Sequence, residues 1–182
     1  MPVNNHNLYH ALTNDNPMNW YEYPIVFGCY KGKSLFPSRL IRWFSWSDYS
    51  HVAGYLRDRK GKQIIESWPY GGVQAVDGWL TNHKAGTHID LFTFMLQPQP
   101  DRLAAASKWM EAQLGKKYDW KGVFRFIIRA GGELDEDWFC SELWSQFAVL
   151  AGEPLSYKPA YKMMPVDVAV SARLLYLGEY RV

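Results

Sequence analysis

The chain is poor in cysteine. It has two in 182 residues, Cys29 and Cys140, far apart in sequence. So few thiols, with no secretory leader expected ahead of them, do not read as a disulfide framework. No CxxC spacing supports a zinc site built from Cys29, Cys140 and a histidine, so the sequence calls for no metal and no cofactor. A block of one charge sign is missing too. Formal net charge is +2, and the basic residues (Lys31, Lys33, Arg39, Arg42, Arg57, Arg59, Lys60, Lys62) are scattered, which argues against a nucleic-acid partner. Every apolar stretch is interrupted by charge before it reaches bilayer length, so no transmembrane segment is expected. The opening MPVNNHNLYHALTNDN has neither a charged n-region nor an apolar h-region, and the expected compartment is the cytoplasm. Internal repeats and low-complexity tracts are absent as well.

What is present is an ordinary globular balance, 48% hydrophobic and 21% charged, with an unusual aromatic share of 16% that includes nine Trp and twelve Tyr. Aromatics in that number fill a core first, and can also line a cleft for an apolar or planar ligand. The length suits one domain with a substantial core.

Residues 1–23 are polar and aperiodic and read as a loose extension; the domain proper runs over 24–182. PIVFGCY, SHVAGYL, KQIIESW, GVQAV and HIDLFTFM read as closely spaced strands, with Lys60-Gly61-Lys62 as a hairpin turn. A helix is expected over 35–44, with Pro37 in its first turn, and a short helical piece over DGWLTNH. After Pro98 and Pro100 the period becomes helical. DRLAAASKWMEAQLG places Leu103, Ala106, Met110 and Leu114 on one face, with Asp101 as cap and Gly115 as stop. DWKGVFRFIIRAGG is a second helix. DWFCSELWSQFAVLAG is a third, with Asp137 as cap and a buried stripe of Cys140, Leu143, Trp144, Phe147 and Leu150. PVDVAVSARLL starts a last helix at Pro165 that leads into a short strand or tail. Strands first and helices after predict an α+β domain.

Three residues could carry chemistry. Cys140 falls in the first turn of its helix, where unpaired amides and the positive dipole end favour a thiolate and could hold an oxyanion. The nearby acids Glu133, Asp135, Glu136, Asp137 and Glu142 push the other way, and a buried structural thiol is the alternative. His51 opens a strand on the face shared by Ala53 and Tyr55, so a base there would be rigidly aimed; the alternative is a strand-end histidine with a satisfied hydrogen bond. Glu66 sits in an apolar strand beside Ile64, where a carboxylate is costly without a partner. Across a hairpin it would reach His51 and orient it; as an edge-strand residue it would face solvent. His6, His10, His83 and His88 lie in loose or turn segments.

The order of RLIRW, YSHVAGYL, IIES, GV and then KYDW before FCSEL resembles the circularly permuted branch of the NlpC/P60 superfamily. That branch is papain-like and includes the YaeF/YiiX-type amidase-like proteins and, more distantly, lecithin:retinol acyltransferase-like proteins. The resemblance covers roughly residues 24–171 and is most specific at Ser50-His51-Val52 and Cys140-Ser141-Glu142-Leu143, with Tyr118-Asp119 upstream. It implies a small antiparallel sheet packed on the cysteine helix. It further implies Cys140 as nucleophile, His51 as general base, Glu66 as third member, and Tyr49 and Tyr118 as cleft residues. The activity it implies is a cysteine amidase or peptidase acting through an acyl-enzyme thioester. A lipid acyl hydrolase or acyltransferase of the same fold, or a non-catalytic lipid- or peptide-binding module, is the alternative. Its partner would be a small-molecule, peptide or lipid substrate with an amide or ester bond. Cys29 has no role in that resemblance and is expected to be a core thiol.

Overall fold

A computed structural model describes residues 19–32, 42–43, 45–120 and 137–180 of the chain. Six strands form one antiparallel sheet: β1 (Ile25–Lys31), β2 (His51–Leu56), β3 (Ile64–Trp68), β4 (Gly72–Val76), β5 (His88–Phe94) and β6 (Leu174–Tyr180). Their spatial order is β4-β3-β2-β1-β5-β6. Among the described residues three α-helices accompany the sheet, α1 (Pro100–Glu111), α2 (Cys140–Leu150) and α3 (Pro165–Ala169). The expected α+β class is therefore observed.

Strand alternation divides the side chains between two apolar faces. Ile25, Phe27 and Cys29 of β1 share one core with Val52, Ile65 and Phe94, and the helices cover it with Met110, Leu143, Trp144, Phe147 and Val168. Val26, Tyr30, Ala53, Tyr55, Ile64 and Leu91 build the opposite core, which Trp79 closes. Covering on both sides explains why PIVFGCY and SHVAGYL read as continuous apolar runs rather than as alternations. Cys29 is a fully buried core thiol. Tryptophans lie flat on the sheet where a glycine makes room. A Cβ on Gly54 would stand 2.3 Å from the Trp144 ring, and one on Gly28 would stand 2.5 Å from Trp79 on the other face.

Several local expectations need correction. Pro100 takes the first position of α1 after Gln99, so Asp101 lies inside the first turn and is not the cap; proline suits that position because its missing N–H has no helical partner there. Helix α2 begins at Cys140 with Phe139 as its N-cap residue, not Asp137. The preceding chain is held in a parallel bridge between Tyr118 and Trp138, with Trp138 N–H donating to Lys117 O at 3.0 Å, and bridged residues cannot already be helical. Leu150 is 37% exposed, and Ala148 and Ala151 complete the buried stripe instead. DGWLTNH forms consecutive turns rather than a helix. There the Thr81 hydroxyl donates to Gly78 O and accepts from Gly78 N–H, at 2.9 and 3.1 Å, competing with a helical ladder. The last helix stops at Ala169, because from Leu174 the chain pairs with β5 as a full edge strand.

The expected extension over 1–18 lies outside the described residues. So do the helix over 35–44, apart from Arg42 and Trp43, and nearly all of the helix over 119–132. Residues Trp20–Glu22 make a 3-10 turn, and Trp20 packs edge-on against Tyr55 and Trp79. The end of the supposed loose extension thus belongs to the fold. Among the described residues, no helix is long and apolar enough to cross a membrane.

Candidate active site

Cys140 owes its position to what anchors both sides of the α2 start. Downstream, Trp144 lies over Gly54 and donates its indole N–H to Ile65 O at 3.2 Å. Its ring also meets Phe27 and Phe147. Upstream, the Ser67 hydroxyl donates to Trp138 O at 2.6 Å, and the Trp138 indole donates to Gln113 Oε1 at 3.0 Å. Beside Cys140, the Ser141 hydroxyl donates to Met163 O at 2.5 Å. The N–H groups of the first helical turn have no partner within the helix. The cap residue's own N–H, on Phe139, donates to Glu142 Oε2 at 3.4 Å.

His51 shares its sheet face with Tyr30, its register partner on β1. That face is opposite the one α2 covers. The two candidates nonetheless meet because each is terminal: His51 is the first residue of β2 and Cys140 the first of α2. Cys140 lies close enough to His51 to raise its pKa. The other partner of His51 is Glu66, whose Oε2 lies 3.0 Å from His51 Nε2. With Nε2 engaged there, Nδ1 is the nitrogen left for the thiol. Glu66 faces Ala53 across the β2–β3 pair and is 1% exposed. The solvent-facing alternative for Glu66 does not hold, since β3 is an inner strand.

The carboxylate is satisfied on every side. Oε1 accepts from Gln74 Nε2 at 3.2 Å and from the Asn82 amide, while Oε2 also meets His83 Nε2 at 3.3 Å. Burial alone would raise the Glu66 pKa, but the hydrogen bonds from His51 and His83 outweigh it and hold the group well below the usual carboxylate range. Burial likewise pulls His51 down; the charge and hydrogen bond of Cys140 and the pull of Glu66 outweigh it, and His51 is pushed up to about 9. His83 goes the other way. Burial lowers it, the charge of His51 adds to that, and Glu66 only partly compensates.

Tyr118 is buried and close enough to Cys140 to feel its charge; burial first, then Cys140 and Asp119, push its hydroxyl well above the ordinary value. Tyr49 stands apart from this cluster. Its hydroxyl donates to Asp90 Oδ2, which Lys31 Nζ also meets at 2.7 Å, and the Lys31 ammonium lies over the Tyr49 ring. The residues that sequence reasoning passed over are His83, Asn82, Gln74, Tyr30 and Trp68. His83 stacks on Tyr30 with ring centroids 4.1 Å apart and meets Trp68 edge-on at 4.8 Å. The turn signal at 77–83 hid it, since nothing in DGWLTNH shows that the turn folds back over β3. Among the described residues, His51, Glu66 and His83 are the group whose donor atoms lie close enough together to hold a metal ion. Comparison with protein-family models finds no match, and comparison with curated proteins finds none either.

Proposed function

We propose that the chain is a cysteine hydrolase acting on an amide or ester bond, of the circularly permuted NlpC/P60 kind. The observation that carries this reading is the buried His51–Glu66 pair, 3.0 Å apart, with Cys140 at the start of α2 near enough to His51 to raise its pKa. A thiol, an imidazole and a buried carboxylate in that order are the parts of an activated nucleophile. His51 takes the Cys140 proton at Nδ1 while Glu66 accepts the Nε2–H bond and stabilises the imidazolium. The thiolate adds to the carbonyl carbon, and backbone amides at the start of α2 receive the oxyanion. When the C–N or C–O bond breaks, His51 returns its proton to the leaving group and a thioester remains. Water, deprotonated by His51, then releases the acid and restores the thiol.

Labelling with an acyl probe, followed by mass identification of the modified peptide, tests this directly. The adduct is expected on Cys140 in the natural chain and nowhere in Cys140→Ala. Equal labelling of both proteins would sink the reading. A second reading, a binding module on the same framework, draws on a specific observation, the complete burial of the Cys140 side chain. It requires Cys140 to stay inert toward acyl probes while the fold still retains a lipid or peptide ligand.

A further inference from the structure

His83 is the half-buried titratable group in this cluster for which the hydrolase chemistry has no use. One imidazole suffices for the thiol, yet two converge on a single oxygen, Glu66 Oε2, at 3.0 and 3.3 Å. We propose that His51, Glu66 and His83 form a binding site for a divalent cation of the zinc type. The donor atoms of the three side chains all lie within 4.8 Å of one another. Ligands bonded to tetrahedral zinc at about 2.0–2.1 Å are separated from each other by roughly 3.3 Å, so the two Oε2–Nε2 separations already match the edges of that polyhedron. Two imidazoles and one carboxylate suit zinc and its neighbours, whereas magnesium and calcium take oxygen sets.

The surroundings have the form that holds ligands in place. Gln74 and the Asn82 amide occupy Oε1 and so present Oε2, and such outer partners orient metal ligands. Tyr30 and Trp68 fix the His83 ring from two sides. In the ion-free chain the same three side chains are joined by N–H donors; the cation takes the place of the Nε2 protons, each imidazole keeps one proton on Nδ1, and any second proton is released to solvent. With the cation on Nε2, His51 carries its one proton on Nδ1, toward Cys140, and has no free nitrogen to accept the thiol proton. Resting on the hydrolase reading, this makes the cation a reversible inhibitor.

The test is titration of the full chain with zinc chloride by calorimetry, together with zinc-edge X-ray absorption on the natural protein. One ion per chain is expected, with two imidazoles, light-atom ligands and no sulfur in the first sphere. His83→Gln is expected to weaken zinc by about a hundredfold, at or beyond the range typical of losing an outer partner, and Cys140→Ala to leave it unchanged. The absorption spectrum needs no variant to fold. Absence of saturable binding, a sulfur ligand, or equal affinity in His83→Gln would each overturn the proposal. Zinc bound as expected by a chain whose Cys140 never acylates would sink the hydrolase reading alone. Acylation without zinc binding would sink the cation site alone.

Discussion

Glu66 decides the chemistry of its neighbours more than any other single side chain. It is a carboxylate with almost no solvent contact, tolerable only because four donors meet it. Glu66→Gln keeps the shape and removes the charge, so it takes the carboxylate partner away from the His51 imidazolium in the interior. Breaking a buried pair from one side costs about 3–5 kcal/mol, and a loss of that order is expected in urea unfolding at neutral pH. The pH dependence follows from the two shifts. His51 is raised from 6.5 to about 9, so its contribution is complete below 6.5 and fades as pH rises through 9. Glu66 is lowered from 4.5, so its contribution is present above 4.5 and fades as pH falls through the depressed value. The stability gap between the natural chain and His51→Gln/Glu66→Gln is therefore expected to be flat between about 4.5 and 6.5 and to shrink toward pH 9. A gap independent of pH would contradict the pairing.

Helix α2 and strand β2 have to stay in register for this pair to meet, and Gly54 is where they touch. Its Cβ would overlap the Trp144 ring at 2.3 Å. Gly54→Ala is expected to destabilise the fold by about 1–3 kcal/mol and, by displacing the start of α2, to lower Cys140 acylation more than the stability loss explains. Comparing acylation rates under conditions where the variant is fully folded checks this. Trp144→Ala removes the anchor itself, at about 3–5 kcal/mol. The helix and its cysteine were legible in FCSELWSQF because the apolar spacing is helical. The cap was not: an acid at Asp137 is a standard local signal, but the bridge between Tyr118 and Trp138 is a contact no local pattern reports. The strand faces of His51 and Glu66 were legible from alternation. That a ring on the face away from α2 could still reach Cys140 depends on both residues being terminal, which is a property of tertiary placement.

For the whole molecule, the sheet is a two-sided core, and the side away from the helices is closed by aromatic side chains brought from distant segments. Trp20 meets Tyr55, Trp79 and Tyr180 at centroid distances of 5.0, 5.6 and 6.5 Å. Trp20→Ala is expected to cost about 3 kcal/mol, although the sequence around it reads as loose; thermal unfolding of the full chain measures it. Part of the aromatic share thus closes this side of the sheet, as with the buried Trp79, while Trp144 is buried on the helix side. His83 came into the cluster by the same folding-over of the 77–83 turns, and sequence periodicity carries no trace of it. The account rests on Cys140 being coupled to His51, and one measurement addresses that coupling directly: the rate of iodoacetamide alkylation of Cys140, resolved by peptide mass across neutral pH, in the natural chain and in His51→Ala. A rate nearly independent of pH through neutrality, lost in His51→Ala, with Cys29 unlabelled, is the expected result. A rate that climbs with pH as for an unpaired thiol and is the same in both proteins would contradict it.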